Sequence, residues 1–161
     1  MMLSILILSF VTLQRLAELV WARRNTRALL AKGAYEVAPE HYPHIVAVHA
    51  AWLLGLWIVA WNTPVNLFWL AIFAVLQGLR VWVLFVLGPR WTTRLLIMPG
   101  ETLVRSGPYR YLSHPNYAVV AGEIAALPLA FGQPLLALLF TLVNGVILYT
   151  RIKAENRALS R

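Results

Sequence analysis

The chain has 161 residues, of which 60% are hydrophobic and 12% charged, and its formal net charge is +8. A water-soluble domain of this size cannot hide so much apolar side chain, so most of the chain has lipid for its solvent. The lack of cysteine excludes disulfides, thiolate metal sites and cysteine nucleophiles, and basic residues that flank apolar stretches point to anionic headgroups rather than to nucleic acid.

Five apolar stretches, each near the length a helix needs to cross a bilayer, predict an all-α polytopic membrane protein of about five transmembrane helices. The first runs from Leu3 to Ala22; the Met1 to Trp21 stretch lacks the basic n-region and small-residue cleavage site of a signal peptide and is expected to remain as a span. It carries Arg15 and Glu18, three residues apart, which can pair with each other and snorkel. The second runs from Pro43 to Trp61, and the third from Pro64 to Leu87 after the turn Asn62-Thr63-Pro64. Arg80, in the third, is expected to snorkel as well. The fourth, Pro115 to Phe131, holds Glu123 about 12 Å along its axis, where a carboxylate needs a partner or a polar cavity. The turn Gly132-Gln133-Pro134 leads into the fifth, Pro134 to Ile152.

Charge placement supports the count of five. Twelve of the fourteen Lys and Arg residues lie in Arg23 to Lys32, Arg90 to Arg110 and Arg151 to Arg161, and the two tight turns carry none. Five crossings put those three segments on one side and the turns on the other, as the positive-inside rule requires, which makes the basic side the cytoplasmic one. The chain reads as one domain, 1–161, with three helices and their connectors over 1–100 and a site-bearing part over 101–161.

Two regions carry candidate chemistry. On the last helix Asn144, Arg151 and Glu155 are spaced seven and four apart and fall on nearly one line, a polar stripe that is either a functional surface or a solvated helix end with an ordinary Arg151–Glu155 ion pair. Between the third and fourth spans, Gly100 to Tyr117 is poor in apolar periodicity and rich in turn formers and aromatics. There Gly107-Pro108 makes a turn, His114-Pro115 sets an imidazole at a helix start, and Tyr117 falls in that helix's first turn. Such groups can hold a polar cofactor at the membrane surface, with backbone donors for a carboxylate and aromatic faces for a purine or a cation.

These residues resemble the isoprenylcysteine carboxyl methyltransferases and their bacterial relatives, which share a membrane core with phospholipid N-methyltransferases. Gly107-Pro108-Tyr109 and His114-Pro115-Asn116-Tyr117 match the family's Gly-Pro-Tyr and His-Pro-x-Tyr pattern, and Glu155-Asn156-Arg157-Ala158-Leu159 resembles its closing Glu-Glu-x-x-Leu. The chain departs from the pattern at Ser113, where the family has arginine, at Val119-Val120 in place of a glycine, and at Asn156, where the second acidic residue belongs. The resemblance implies S-adenosyl-L-methionine as methyl donor, in a pocket lined by Leu103, Val104, Gly107, Tyr109, His114, Tyr117 and Glu155. It also implies a cytoplasm-facing site in a multi-pass protein of a bacterial inner membrane. Arg151 is then the candidate to steer an acceptor carboxylate, with Asn144 and Glu123 deeper in the same hairpin cavity.

The implied acceptor is lipophilic: a prenylcysteine-like carboxylate, the hydroxyl of a phenolic or pyrone lipid, or, as an alternative, a phospholipid amine. A carboxylate needs no general base, whereas a phenol, enol or amine does, and Glu123 or His114 then becomes a candidate. No metal is expected. A different class of reading, a non-enzymatic haem- or quinone-binding membrane protein, rests on His41, His44, His49 and His114, but axial ligation needs imidazoles at matched depth on facing helices.

Overall fold

Five α-helices and one pair of two-residue strands make up the computed structural model, which describes residues 2–159. Met1 and Arg161, the latter the last member of the third basic segment, lie outside the described residues. In chain order the elements are α1 (Met2–Ala31), β1 (Tyr35–Glu36), α2 (His41–Ala60), α3 (Leu67–Leu87), β2 (Leu96–Ile97), α4 (Pro115–Ala130) and α5 (Pro134–Ala158). The architecture is all-α and polytopic. Four of the helices, α1, α2, α3 and α5, are long and apolar enough to cross a membrane.

The helices differ from the apolar stretches where polar residues extend or cap them. α1 continues past Ala22 to Ala31, because Arg23, Arg24, Ala28 and Leu29 favour helix and Asn25 finds partners. The Asn25 side-chain amide donates to the carbonyls of Gly88 and Trp91, which fastens the protruding end of α1 to the end of α3. α3 starts at Leu67 rather than Pro64 because Asn66 is the N-cap, its side chain accepting from the Phe68 and Trp69 N–H groups. α5 runs beyond Ile152 to Ala158, so Arg151 and Glu155 stand on one continuous helix. α2 begins at His41 rather than Pro43, which puts His41 as well as His44 in its first turn.

Chain polarity is settled at both ends. The Ser4 hydroxyl donates to the Thr63 carbonyl, and the Asn66 N–H donates to the Ala130 carbonyl at 2.7 Å, so the start of α1 and both tight turns share one end. At the other end the antiparallel pair of β1 and β2 ties the α1–α2 connector to the α3–α4 connector, reinforced by the Arg94–Glu36 ion pair at 2.8 Å. The described members of all three basic segments collect at that end.

The fourth helix departs from its four neighbours. At 16 residues it is about 24 Å long, short of a hydrocarbon core of about 30 Å. Half of its residues are buried, including Ile124, Ala126 and Leu127 in the apolar core with Leu8, Trp52 and Phe73. It packs between α3 and α5 and touches α2, with Gly122 admitting Leu76 from α3 so closely that an added Cβ would lie 2.9 Å from the Leu76 side chain. The outside of the bundle is greasy instead, with Phe85 and Leu135 more than 80% exposed. Lipid is the solvent that makes such a surface stable.

Charges fill the inside. Glu123, fully buried, accepts from Gln77 on one oxygen at 2.6 Å and from Arg15 and Arg80 on the other at 2.7 and 3.0 Å. Glu18 accepts from both Arg80 and Arg15, and Gln14 bridges Glu18 to Gln77. Arg15 and Glu18 therefore do pair, but they do not snorkel out alone, and Arg80, only 5% exposed, is locked between two carboxylates rather than reaching for the interface. Two guanidiniums and two carboxylates leave the cluster neutral, the condition under which ions persist away from water. Removing one partner leaves an uncompensated charge. Arg80→Ala is expected to cost about 3 kcal/mol, read as a lowered unfolding midpoint in detergent micelles. Adding Glu18→Ala to it should cost less than the sum of the two single changes, since the double variant keeps the neutral Arg15–Glu123 pair.

Candidate active site

Where α3 ends, Gly88-Pro89-Arg90 forms a short 3-10 turn, and the chain then runs through β2 and past Gly100 to a second 3-10 turn at Gly107–Arg110. This long connector folds back over the basic end of the bundle and meets the last turns of α5. Between them lies a cavity of about 780 Å³, lined by Leu103, Val104, Tyr109, His114, Tyr117 and Glu155 together with Arg94, Asn116 and Arg151. The Leu103 and Val104 N–H groups make no hydrogen bond among the described residues, and both residues line the cavity.

Four side chains join the connector and α4 to α5. The Tyr117 hydroxyl donates to Glu155 at 2.8 Å, and Arg151 Nε donates to the same hydroxyl at 2.9 Å. His114 Nδ1 lies 3.4 Å from Glu155, and the imidazole stacks on the Tyr117 ring with centroids 5.3 Å apart. Arg151 also donates through Nη2 to the Thr93 carbonyl. The ordinary four-apart ion pair between Arg151 and Glu155 therefore does not form; a phenol stands between them. The Tyr109 phenol in the wall is pushed up to about 12 by burial and by the Glu155 carboxylate.

A second, smaller cavity of about 270 Å³ adjoins the first and is apolar over most of its wall, with Leu16, Leu19, Ile45, Leu53, Val120 and Leu148 among its lining. Asn144, 2% exposed with its Oδ1 unpartnered, faces this cavity and not the first. Trp91, Thr92, Asn116, Tyr117 and Arg151 contribute to both walls.

Two residues of the expected site lie elsewhere. Gly107 does not line the larger cavity. Its φ is +56°, and a Cβ there would sit 2.6 Å from Val86 Cγ2 and 3.2 Å from the Trp82 indole nitrogen, so glycine is needed to seat the connector on α3. Glu123 lines neither cavity; its oxygens are taken by Arg15, Gln77 and Arg80. The wall also has members that sequence reasoning did not single out. Asn116 sits within the His-Pro-x-Tyr stretch itself, whereas Thr93 acts through a backbone carbonyl, which leaves no trace in residue type.

Comparison with known proteins bears on what such a pair of cavities is for. Residues 69–161 match the model of the isoprenylcysteine carboxyl methyltransferase family. The chain belongs to that family. It is also 39% identical to the uncharacterized protein YpbQ of Bacillus subtilis (strain 168), over 96% of this chain and 95% of that one. An uncharacterized protein of Haemophilus influenzae is 28% identical over 85% of this chain and 83% of its own length. No solved structure matches the chain. Membership makes the protein a membrane methyltransferase in kind, and its matched region covers α3, the connector, α4 and α5, the parts that enclose the larger cavity.

The seating of Gly107 is open to test. Gly107→Ala is expected to destabilise the protein by about 2–3 kcal/mol, from the methyl clash together with the positive φ. Val86→Ala in the same chain should recover the clash but not the backbone strain, which thermal unfolding of the single and double variants would resolve.

Proposed function

We propose that the protein transfers a methyl group from S-adenosyl-L-methionine, held in the larger cavity on the basic side, to an oxygen of an acceptor that reaches the smaller cavity from the bilayer. The observation that carries this reading is the shared wall: Asn116, Tyr117 and Arg151 border a polar cavity and an apolar one at once. A charged, water-borne donor and a lipid-borne acceptor can meet only at such a boundary.

The residues present fit the donor. Glu155 offers a carboxylate to sugar hydroxyls, the free N–H groups of Leu103 and Val104 suit a carboxylate, and Tyr109 with the stacked His114–Tyr117 pair offers aromatic faces. S-adenosyl-L-methionine, when bound, supplies an electrophilic methyl on a sulfonium. The protein's part is to orient and to exclude water. Tyr117 fixes Glu155 and Arg151 in one relation, and Arg151, anchored through Nε and Nη2, borders both cavities. Asn144 adds a hydrogen-bonding group at the inner end of the acceptor cavity. Glu123 holds α4 in register through Arg15 and Arg80 and does not touch the reactants.

The basic end faces the cytoplasm in this reading, consistent with the positive-inside rule and with where the donor is made. The acceptor oxygen belongs to a prenylcysteine-like carboxylate or to the hydroxyl of a phenolic or pyrone lipid. Nitrogen on a phospholipid is the second possibility, and an ammonium would have to be accommodated beside Arg151, which disfavours it electrostatically.

Calorimetric titration with S-adenosylhomocysteine tests the donor site. His114→Ala and Glu155→Ala should each weaken binding about tenfold or more, the worth of about 1.4 kcal/mol. Arg151→Ala should leave affinity within about threefold while turnover falls about a hundredfold, the signature of an interaction made in the transition state. Unchanged affinity in the first two variants would remove the pocket. Mass spectrometry of lipids from cells with and without the chain should reveal the acceptor as a species gaining one methylene.

A further inference from the structure

His49 sits midway along α2 and lines the smaller cavity with Tyr42, Ile45 and Leu53, the face that α2 turns toward the acceptor. Its Nδ1 lies 2.8 Å from the Ile45 carbonyl one turn earlier on its own helix. A carbonyl can only accept, so in the neutral ring the proton resides on Nδ1 and the lone pair on Nε2. Nε2 has no hydrogen-bond partner among the described residues and is not sealed off from the surroundings. The other basic groups near the acceptor are already committed. Glu18 accepts from Arg80 and Arg15, Glu123 is enclosed by Arg15, Gln77 and Arg80, and His114 stands on the donor side against Glu155.

We propose that His49 is the general base of the reaction and that the acceptor is a hydroxyl compound which loses its proton to His49 Nε2 as methyl transfer occurs. This rests on the methyltransferase reading above. In the step the acceptor O–H bond breaks and its proton forms the Nε2–H bond. The freed oxygen pair forms the bond to the methyl carbon, and the pair of the breaking carbon–sulfur bond leaves with sulfur, which becomes a neutral thioether. The imidazolium then returns its proton to water. Arg15 and Glu18 from α1, Arg80 from α3 and Arg151 from α5 line the same cavity; the Arg15 and Arg80 guanidiniums oppose an imidazolium at His49, and the Glu123 carboxylate behind them favours it.

The test uses the full-length protein in lipid nanodiscs, methyl-labelled S-adenosyl-L-methionine and two acceptors with the same fifteen-carbon tail. One is an alkylphenol, whose pKa of about 10 leaves it protonated at neutral pH. The other is its nitrated counterpart, already ionised under the assay conditions. His49→Ala and His49→Gln, the second keeping most of the side-chain volume, should each lower turnover of the alkylphenol about a hundredfold while turnover of the ionised acceptor stays within about threefold of wild type. Parallel loss on both acceptors, or no loss on either, would overturn the proposal. So would a wild-type protein that binds S-adenosylhomocysteine but methylates neither phenol, and that result would leave the donor site intact. Failure to bind S-adenosylhomocysteine would instead overturn the methyltransferase reading and this proposal with it.

Discussion

A carboxylate in the middle of a helix surrounded by hydrocarbon has to find cations, and Glu123 finds two. Arg15 comes from α1 and Arg80 from α3, and both also engage Glu18, so one neutral cluster binds three helices at a single depth. Burying four charges gains little net free energy over well-packed apolar residues. What it supplies is register: sliding α4 by one turn along α3 would move Glu123 about 5.4 Å and strand every member of the cluster. Apolar side chains meeting apolar side chains in lipid would resist that slide far less, because lipid tails are as apolar as they are.

Register of α4 decides the site. Its N-terminus carries His114, Asn116 and Tyr117, and the height of that end relative to α5 determines whether Tyr117 can reach both Glu155 and Arg151. α4 is short, so its start lies below the ends of the neighbouring helices, and the connector from α3 folds over it to close the larger cavity. Gly107 and Asn25 fasten that connector from two sides, the first by close contact with α3 and the second through the Gly88 and Trp91 carbonyls. A helix long enough to span the bilayer would carry Tyr117 out past Arg151 and leave no cleft beneath the connector.

Much of this was legible in the residues because it is local or periodic. Apolar stretches of span length, basic segments separated by uncharged turns, and the Gly-Pro-Tyr, His-Pro-x-Tyr and closing glutamate motifs each leave a mark within a few residues. The buried cluster leaves none. Arg15 and Glu123 are 108 positions apart, and the sequence offers Arg15 a nearer partner in Glu18, which it also uses. Gly107 was legible as a turn, but its steric role depends on Val86 and Trp82 on another helix. The strand pair of β1 and β2 is two residues long and too short for any alternation to register. Hydropathy ends at Ala22, whereas helical structure depends on hydrogen bonds and carries α1 on to Ala31, where residues such as Asn25 find partners.

The interposed phenol alters the electrostatics of the boundary between the two cavities. A direct Arg151–Glu155 pair would let each charge cancel the other, and neither could serve a ligand. Tyr117 instead donates to Glu155 and accepts from Arg151, satisfying one bond of each while keeping the charges apart. Glu155 keeps its second oxygen, and Arg151 one amino group, free of hydrogen bonds among the described residues. An acceptor oxygen gaining negative character as its proton leaves would then meet an uncancelled positive charge in a largely apolar pocket, where its effect is far greater than in water. The same arrangement explains why the link is a tyrosine: phenylalanine would keep the stack with His114 but remove the bridging hydroxyl, and the two charges would collapse onto each other or be left unpaired in the wall.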